Sequence, residues 1–219
     1  MTPTTDISSI QVKLLFLHFK SVKINSDIRR IMDVSTDDSL SASIKFKGEI
    51  AYDIIDLVAL FEGYHTIVGD VFECAQIKPH LTPNLKAALG TVQKKTSQWN
   101  HVRNKIGGHV DIGPIQEFCE QYKYRGVFIS NDLEADFKGV LILQMIESAI
   151  NSTVTNSRLF DKKLVLTDPA DLTRLIDKLN SDWKSCIDLF GALSTFLYEA
   201  GKQEKLNSIS SQDIGIIKF

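Results

Sequence analysis

The residues of this chain that are best suited to chemistry lie in a stretch without acidic side chains. From Cys74 to Val110, 37 consecutive residues include no Asp or Glu, although the whole chain has 27. This acid-free segment carries the cations Lys78, Lys86, Lys94, Lys95, Arg103 and Lys105, and the histidines His80, His101 and His109. Because the local potential depends mainly on the nearest charges, the segment predicts an anionic ligand in a chain whose net charge is only -2.

The end of the acid-free segment combines an arginine with a histidine. The order is Arg103-Asn104-Lys105, then Ile106-Gly107-Gly108, then His109-Val110-Asp111. A guanidinium can hold a phosphate by two hydrogen bonds, and an imidazole can move a proton at neutral pH. The two glycines suit a helix end, so His109 can fold back toward Arg103. Asn104 could orient an imidazole or a phosphate oxygen, and Asp111 could fix the histidine tautomer.

Apolar residues recurring in steps of four and three predict a mostly helical chain that would position these groups. The stripe from Leu172 to Leu197 indicates a helix with Asp168 as its cap, Pro169 at its first position and Gly201 as its stop. Further helices are predicted over residues 49–77, 83–106 and 132–150.

The remaining segments are less regular. Residues 126–130 and 163–166 could be short strands or buried coil. Residues 12–24 suit a helix or a strand, and residues 35–43 suit a polar loop. The fold predicted is therefore all-α, a bundle of about five to seven helices with at most a minor short β element. Its predicted domains are an N-terminal extension (1–45), a helical bundle (46–205) and a C-terminal tail (206–219).

Arg103 occupies a place that helical periodicity assigns to a buried face. The stripe it belongs to is formed by Leu85, Leu89, Val92, Thr96, Trp99, Arg103 and Ile106. Arginine is rarely buried without a partner. One fitting partner is a carboxylate of the preceding helix, and the other is a phosphate in a cleft or at a subunit interface. The candidate carboxylates are Asp53, Asp56, Glu62 and Asp70.

The same stretch resembles the motif of the HEPN superfamily, in which four to six residues separate an arginine from a histidine and a polar residue often follows the arginine. Arg103-Asn104-Lys105 and His109-Val110-Asp111 are similar in particular to the Arg-Asn/Asp-Lys…Ala-His-x-Asp version of the abortive-infection branch, with Gly108 in the place of its alanine. The motif covers nine residues, and helix order extends the similarity loosely over residues 49–150.

The resemblance implies a helical homodimer that acts as a metal-independent endoribonuclease with no cofactor. His109 would remove the proton from a ribose 2′-hydroxyl or protonate the leaving oxygen, Arg103 would stabilise the charge on the phosphorane, and Asn104 would assist. The lysines expected to bind RNA or phosphate are Lys94, Lys95 and Lys105. The setting implied is a toxin or phage-defence system, with an antitoxin or nucleotidyltransferase partner.

Two other classes of protein stay open. A HEPN-like bundle can also be a non-catalytic adaptor that dimerises or binds a protein partner, and the stripe of residues 172–197 would suit a subunit interface as well as a core. A helical regulatory protein that holds a small phosphorylated molecule is the third class, although the chain has no phosphate-binding loop motif.

Composition narrows the setting further. With 43% hydrophobic and 24% charged residues, the chain suits a folded globular protein and neither disorder nor a fibre. The start of the sequence lacks the features of a secretory signal and no apolar run could span a bilayer, so we expect a cytoplasmic protein without a membrane segment. The widely spaced Cys74, Cys119 and Cys186 suggest reduced thiols, and the histidines lack zinc-like spacing.

Overall fold

The computed structural model describes residues 6–34, 40–106, 116, 119–120, 134–152 and 159–203. Within them the chain forms six α-helices and no strand, which confirms the predicted all-α bundle. The helices are α1 (Ile7–Val34), α2 (Leu40–Glu73), α3 (Pro83–Ser97), α4 (Asn100–Ile106), α5 (Glu134–Asn151) and α6 (Pro169–Gln203). None of these helices is long and apolar enough to cross a membrane. The predictions for residues 126–130 and 206–219 lie outside the described residues.

Helix α2 is the centre of the bundle because it contacts each of the other five helices. Its buried side chains surround the helix axis and include Ile54, Leu57, Val58, Leu60, Phe61, Tyr64, Ile67, Val68 and Val71. A helix that is apolar on most of its faces has to be covered on most of its faces. The predicted helix over residues 49–77 is therefore present, although it begins at Leu40, so residues 40–43 are helical and not part of a loop.

Residues 12–24, which suited a helix or a strand, are helical and lie within α1. Asp6 caps it by accepting a hydrogen bond from the Ser9 backbone N–H at 2.7 Å. Ile7, Ile10 and Leu14 are buried in the same core as α2 and α6. The predicted boundary at residue 45 falls within α2.

The predicted helix over residues 83–106 is interrupted at Gln98 and Trp99. Its start agrees with the sequence, because the Thr82 hydroxyl accepts from the Leu85 N–H at 3.2 Å and Pro83 follows at the first helical position. At the interruption the Trp99 N–H bonds to the Thr96 carbonyl at 3.0 Å, one residue nearer than in an α-helix. This tighter turn starts α4 in a shifted phase.

Helices α2 and α5 cross at two glycines. A Cβ atom built on Gly139 would lie 2.1 Å from the Gly48 Cα, which is far inside van der Waals contact. No side chain fits at Gly139 unless the two backbones separate, so the close approach of these helices depends on both glycines.

Residues 163–166, which the sequence left open between a short strand and buried coil, form no strand. Leu164 and Leu166 are buried and alternate with exposed Val165, which explains the strand-like pattern. Side chains of α5 replace a neighbouring strand. Asn151 donates to the Leu164 carbonyl at 2.7 Å and accepts from the Leu164 N–H at 2.9 Å, and Glu147 accepts from the Leu166 N–H at 2.6 Å.

Helix α6 has the cap that the sequence predicts but not the stop. Asp168 accepts from the Ala170 N–H at 2.8 Å and Pro169 begins the helix. The helix continues through Gly201 to Gln203, so Gly201 does not terminate it. Gly201 is buried, which gives packing as the reason for its small size.

Candidate functional site

Arg103 lies near the end of α4 and faces α2. Its Nη2 atom is 2.8 Å from Glu62 Oε2, and its Nη1 atom donates to Asn104 Oδ1 at 3.0 Å. The side chains of Arg103 and Glu62 are 30% and 40% exposed. Arg103 is thus paired with one of the four carboxylates that the sequence offered, yet the pair is open to solvent.

The interruption between α3 and α4 explains why Arg103 is not buried as its stripe predicted. The stripe is buried from Leu85 to Trp99, but in α4 the fully buried residue is Val102. Arg103 and Ile106 are only half-buried. The rotation of α4 relative to α3 therefore points Val102 into the core and places the Arg103 guanidinium at the partly exposed edge of the core.

The guanidinium keeps donors for a further ligand. An arginine side chain has five N–H donors, and its contacts within the described part of the chain, to Glu62 and Asn104, use two of them. The guanidinium is partly exposed and is held by two contacts, so its remaining N–H donors are suited to bind a phosphate oxygen. Holding the fork in one orientation reduces the entropy that a ligand must overcome.

Of the other residues near the end of α4, Lys105 adds positive charge. Asn104 is exposed and Lys105 is half-buried. Burial lowers the pKa of His101, and the nearby Lys105 charge lowers it further, against a hydrogen bond to the Gln98 backbone that raises it. The lowered pKa disfavours the charged form of His101, so the positive charge of the described residues at this end of α4 comes mainly from Arg103 and Lys105.

His109 and Asp111 lie outside the described residues. Their proposed roles as proton carrier and orienting group stay predictions. Arg103, Asn104 and Lys105 are the part of the motif whose placement the structure describes.

The structure separates Lys95 from Arg103, although both belong to the acid-free segment. Lys95 faces α6, where its Nζ donates to Ser185 Oγ at 2.8 Å and lies 3.7 Å from Asp182 Oδ1. Lys94, the adjacent residue, is exposed. Of the three lysines predicted to bind RNA or phosphate, Lys95 thus has an ammonium that is already engaged between two helices.

Asp182 is the ionisable residue that sequence reasoning missed. Its side chain is 1% exposed, and its Oδ2 atom accepts from Trp99 Nε1 at 2.9 Å and from Lys178 Nζ at 2.5 Å. With Lys95 at 3.7 Å, one buried carboxylate faces two ammonium groups. The available signal was its position: Asp182 falls three residues after Leu179 and four before Cys186, on the buried face of α6.

Cysteine and metal chemistry add nothing to this site within the described chain. Cys74, Cys119 and Cys186 are free, and burial is the main cause that raises the pKa of the Cys186 thiol. No group of three His, Cys, Asp or Glu side chains among the described residues could hold a metal ion.

Comparison with models of protein families, with curated proteins and with solved structures gave no match for this chain.

Proposed function

We propose that the chain is a metal-independent endoribonuclease of the HEPN type, and that Arg103 is its phosphate ligand. One observation carries the proposal: the Arg103 guanidinium is partly exposed and held in place by Glu62 and Asn104, and its contacts to the described residues leave donors over. The motif resemblance supplies His109 as the group that moves the proton and Asp111 as its orienting residue.

The energetics of the pair support a functional role over a purely structural one. A solvent-exposed ion pair contributes only about 0 to 1 kcal/mol to stability. The fold therefore gains little from having an arginine at this position. A phosphorane gains more, because a fixed bidentate donor meets charge that develops only in the transition state.

The reaction proposed begins with deprotonation of a ribose 2′-hydroxyl by His109. The resulting oxygen attacks the adjacent phosphorus, Arg103 stabilises the extra negative charge, and the 5′-oxygen leaves with a proton returned by a histidine. The products are a 2′,3′-cyclic phosphate and a 5′-hydroxyl. Lys94 and Lys105 would contact the RNA backbone, and the setting proposed is a cytoplasmic toxin or phage-defence system with an antitoxin or nucleotidyltransferase partner.

The test is RNA cleavage by the full chain in EDTA, with end-group analysis of the products. Arg103→Ala and His109→Ala are each expected to lower the cleavage rate at least about 100-fold, since each removes a group that acts in the transition state. Arg29→Ala is the matched control, because Arg29 is an exposed arginine on α1. Products without cyclic phosphate ends, or cleavage that survives in both site variants, would refute the mechanism.

A non-catalytic interaction protein is the second candidate function. The observation that favours it is an apolar face of α1 that no described helix covers, where Phe16 and Phe19 are 66% and 72% exposed. Absence of cleavage on structured and single-stranded RNAs, in a folded preparation, would favour this second candidate.

A further inference from the structure

Helix α1 is apolar on two opposite faces. One face, with Ile10, Leu14 and Ile24, packs on the core. The other face carries the α1 stripe, which we define as Val12, Leu15, Phe16, Phe19 and Val22, and these side chains are between 50% and 72% exposed. At about 100° per residue, the stripe spans roughly 120° of the helix circumference over three turns.

The size of the α1 stripe is unusual for a surface that stays in water. Five large side chains, each half to three-quarters exposed, present on the order of 500 Å² of apolar area, which is as large as the biggest apolar patch of a typical monomer. Scattered exposed apolar residues need no explanation, but a continuous stripe on one helix does.

Four of the five α1 stripe residues are spaced symmetrically about residue 17, and Phe16 is the exception, because its counterpart is His18. Val12, Leu15, Phe19 and Val22 follow one another in steps of three, four and three. An antiparallel second copy, centred level with residue 17, would place Val12 against Val22 and Leu15 against Phe19. Such a self-complementary surface is what a twofold contact between identical chains requires.

The charges that border the α1 stripe also favour a second copy. Lys13 Nζ lies 2.6 Å from Asp70 Oδ2, and Lys23 Nζ lies 2.7 Å from Asp27 Oδ2. These two cations are paired within the same molecule, whereas Lys20, next to Phe19, makes no ion pair among the described residues; a helix that binds an anionic lipid surface keeps more of its lysines available. Two copies joined through the stripe would bury about 1,000 Å² before the rim is counted, which is the size at which a specific interface becomes plausible.

We propose that the α1 stripe is a homodimer interface in which α1 of one chain packs antiparallel against α1 of a second copy. The inference is independent of the ribonuclease proposal, because it rests on α1 and is read out by mass and not by cleavage. It names the surface that joins the two chains and the residues that meet across it.

The first test is the mass of the full chain by sedimentation or light scattering over a concentration series. The wild-type protein is expected at twice the 24.6 kDa of one chain. The double variant Phe16→Glu/Phe19→Glu is expected to be folded and monomeric, with a dimer Kd raised at least about 100-fold by four buried carboxylates. Tyr52→Glu is the control, because Tyr52 is an exposed aromatic of α2 outside the stripe, and it should remain dimeric.

The second test is disulfide formation at chosen positions in a Cys119→Ser background, where the remaining Cys74 and Cys186 are buried. The antiparallel register brings Val12 to Val22 of the other copy, so Val12→Cys/Val22→Cys should form intermolecular disulfides. Val12→Cys alone should not, because its own counterpart lies about 15 Å away along the helix.

Three results would overturn the inference. A wild-type chain that stays monomeric at high concentration has no such interface. A dimer that survives Phe16→Glu/Phe19→Glu uses another surface. A monomer that binds phosphatidylglycerol vesicles through the stripe, and loses that binding in the double variant, has a lipid surface as its occupant.

Discussion

Two ion pairs are formed by cations of the acid-free segment, and they differ in how far they are buried. The degree of burial determines how much each pair matters for stability and whether it can also contact a ligand. Lys95 meets Asp182, which is 1% exposed and also holds Lys178 and the Trp99 indole. Arg103 meets Glu62 where both side chains are about one-third exposed. A buried carboxylate cannot regain its hydration if it loses its cations, whereas Glu62 can, so the first site stabilises the fold and the second is free to serve a ligand.

The strongest way to break this comparison is Asp182→Asn. The amide keeps the size of the carboxylate but leaves Lys95 and Lys178 facing each other without a counter-charge, and we expect the free energy of unfolding to fall by about 3 kcal/mol. Urea denaturation measures it. Asp188→Asn, at an exposed position of the same helix, is the control. A loss below about 1 kcal/mol would mean that the Asp182 cluster is not a structural centre.

The adjacent residues Lys94 and Lys95 test whether the contact with Asp182 makes a lysine of the acid-free segment contribute to stability. Lys95→Met should lower the free energy of unfolding by about 1 kcal/mol, since Lys178 still holds Asp182. Lys94→Met, at an exposed neighbour, should change it by less than about 0.5 kcal/mol. The ribonuclease proposal adds the opposite order for RNA affinity, where only Lys94→Met should weaken binding. Equal effects of the two variants in both assays would contradict the distinction.

Asp53 is a partly buried carboxylate that, unlike Asp182 and Glu62, forms no ion pair among the described residues. Burial is the largest cause that raises the pKa of Asp53 to about 6, with the nearby Asp27 and Asp56 adding to it, and the buried Oδ2 has no hydrogen-bond partner among the described residues. Because the folded pKa lies above the unfolded value of 3.8, ionisation destabilises the fold as pH rises through this window, and the penalty is complete above about pH 6.

Asp53→Asn should therefore raise the free energy of unfolding by about 1 kcal/mol at pH 7.5, after allowing for solvent screening, and leave it unchanged near pH 3.5. Thermal unfolding at both pH values measures the difference. Asp177→Asn, exposed on α6, should show no such pH-dependent gain. A gain of the same size at both pH values would point to a cause other than ionisation.

Of the two ion-pair sites, the one at Arg103 is expected to contribute less to stability. Glu62→Gln removes the charge of the partner but not its shape, and we expect the free energy of unfolding to change by less than about 1 kcal/mol. If Glu62 orients Arg103 for a phosphate, the same variant should lower the RNA cleavage rate by about 10-fold. A large loss of stability in Glu62→Gln would instead mean that the Arg103–Glu62 pair, like the Asp182 cluster, mainly stabilises the fold.

Parts of the fold were predictable because they depend on local physics. The caps at Thr82 and Asp168 are short-range hydrogen bonds between residues a few positions apart, so the sequence carries them directly. The buried stripe of α3 up to Trp99 also followed from periodicity. The sequence could not decide between a strand and buried coil at residues 163–166, because alternation reports which side chains are buried, and not whether a strand or the Asn151 amide satisfies the backbone.

The candidate site was predictable only in part. The sequence identified Arg103 and four candidate carboxylates, but the choice of Glu62 depends on the register between α2 and α4, which no local pattern encodes. The half-exposure of Arg103 depends on the interruption at Trp99, and that residue is held by packing on Phe61 and by its hydrogen bond to Asp182, 83 residues away.

The sequence by itself determined that this chain is helical, where the helices at Pro83 and Pro169 begin and which end of the acid-free segment carries an arginine. Periodicity and capping act over a few residues, and they are written into consecutive positions. The tertiary structure alone decided which cations are buried, because the dielectric environment of a charge depends on residues distant in sequence. It buried the partner of Lys95 and left Arg103 at the rim, and it exposed the α1 stripe that periodicity by itself would assign to a core.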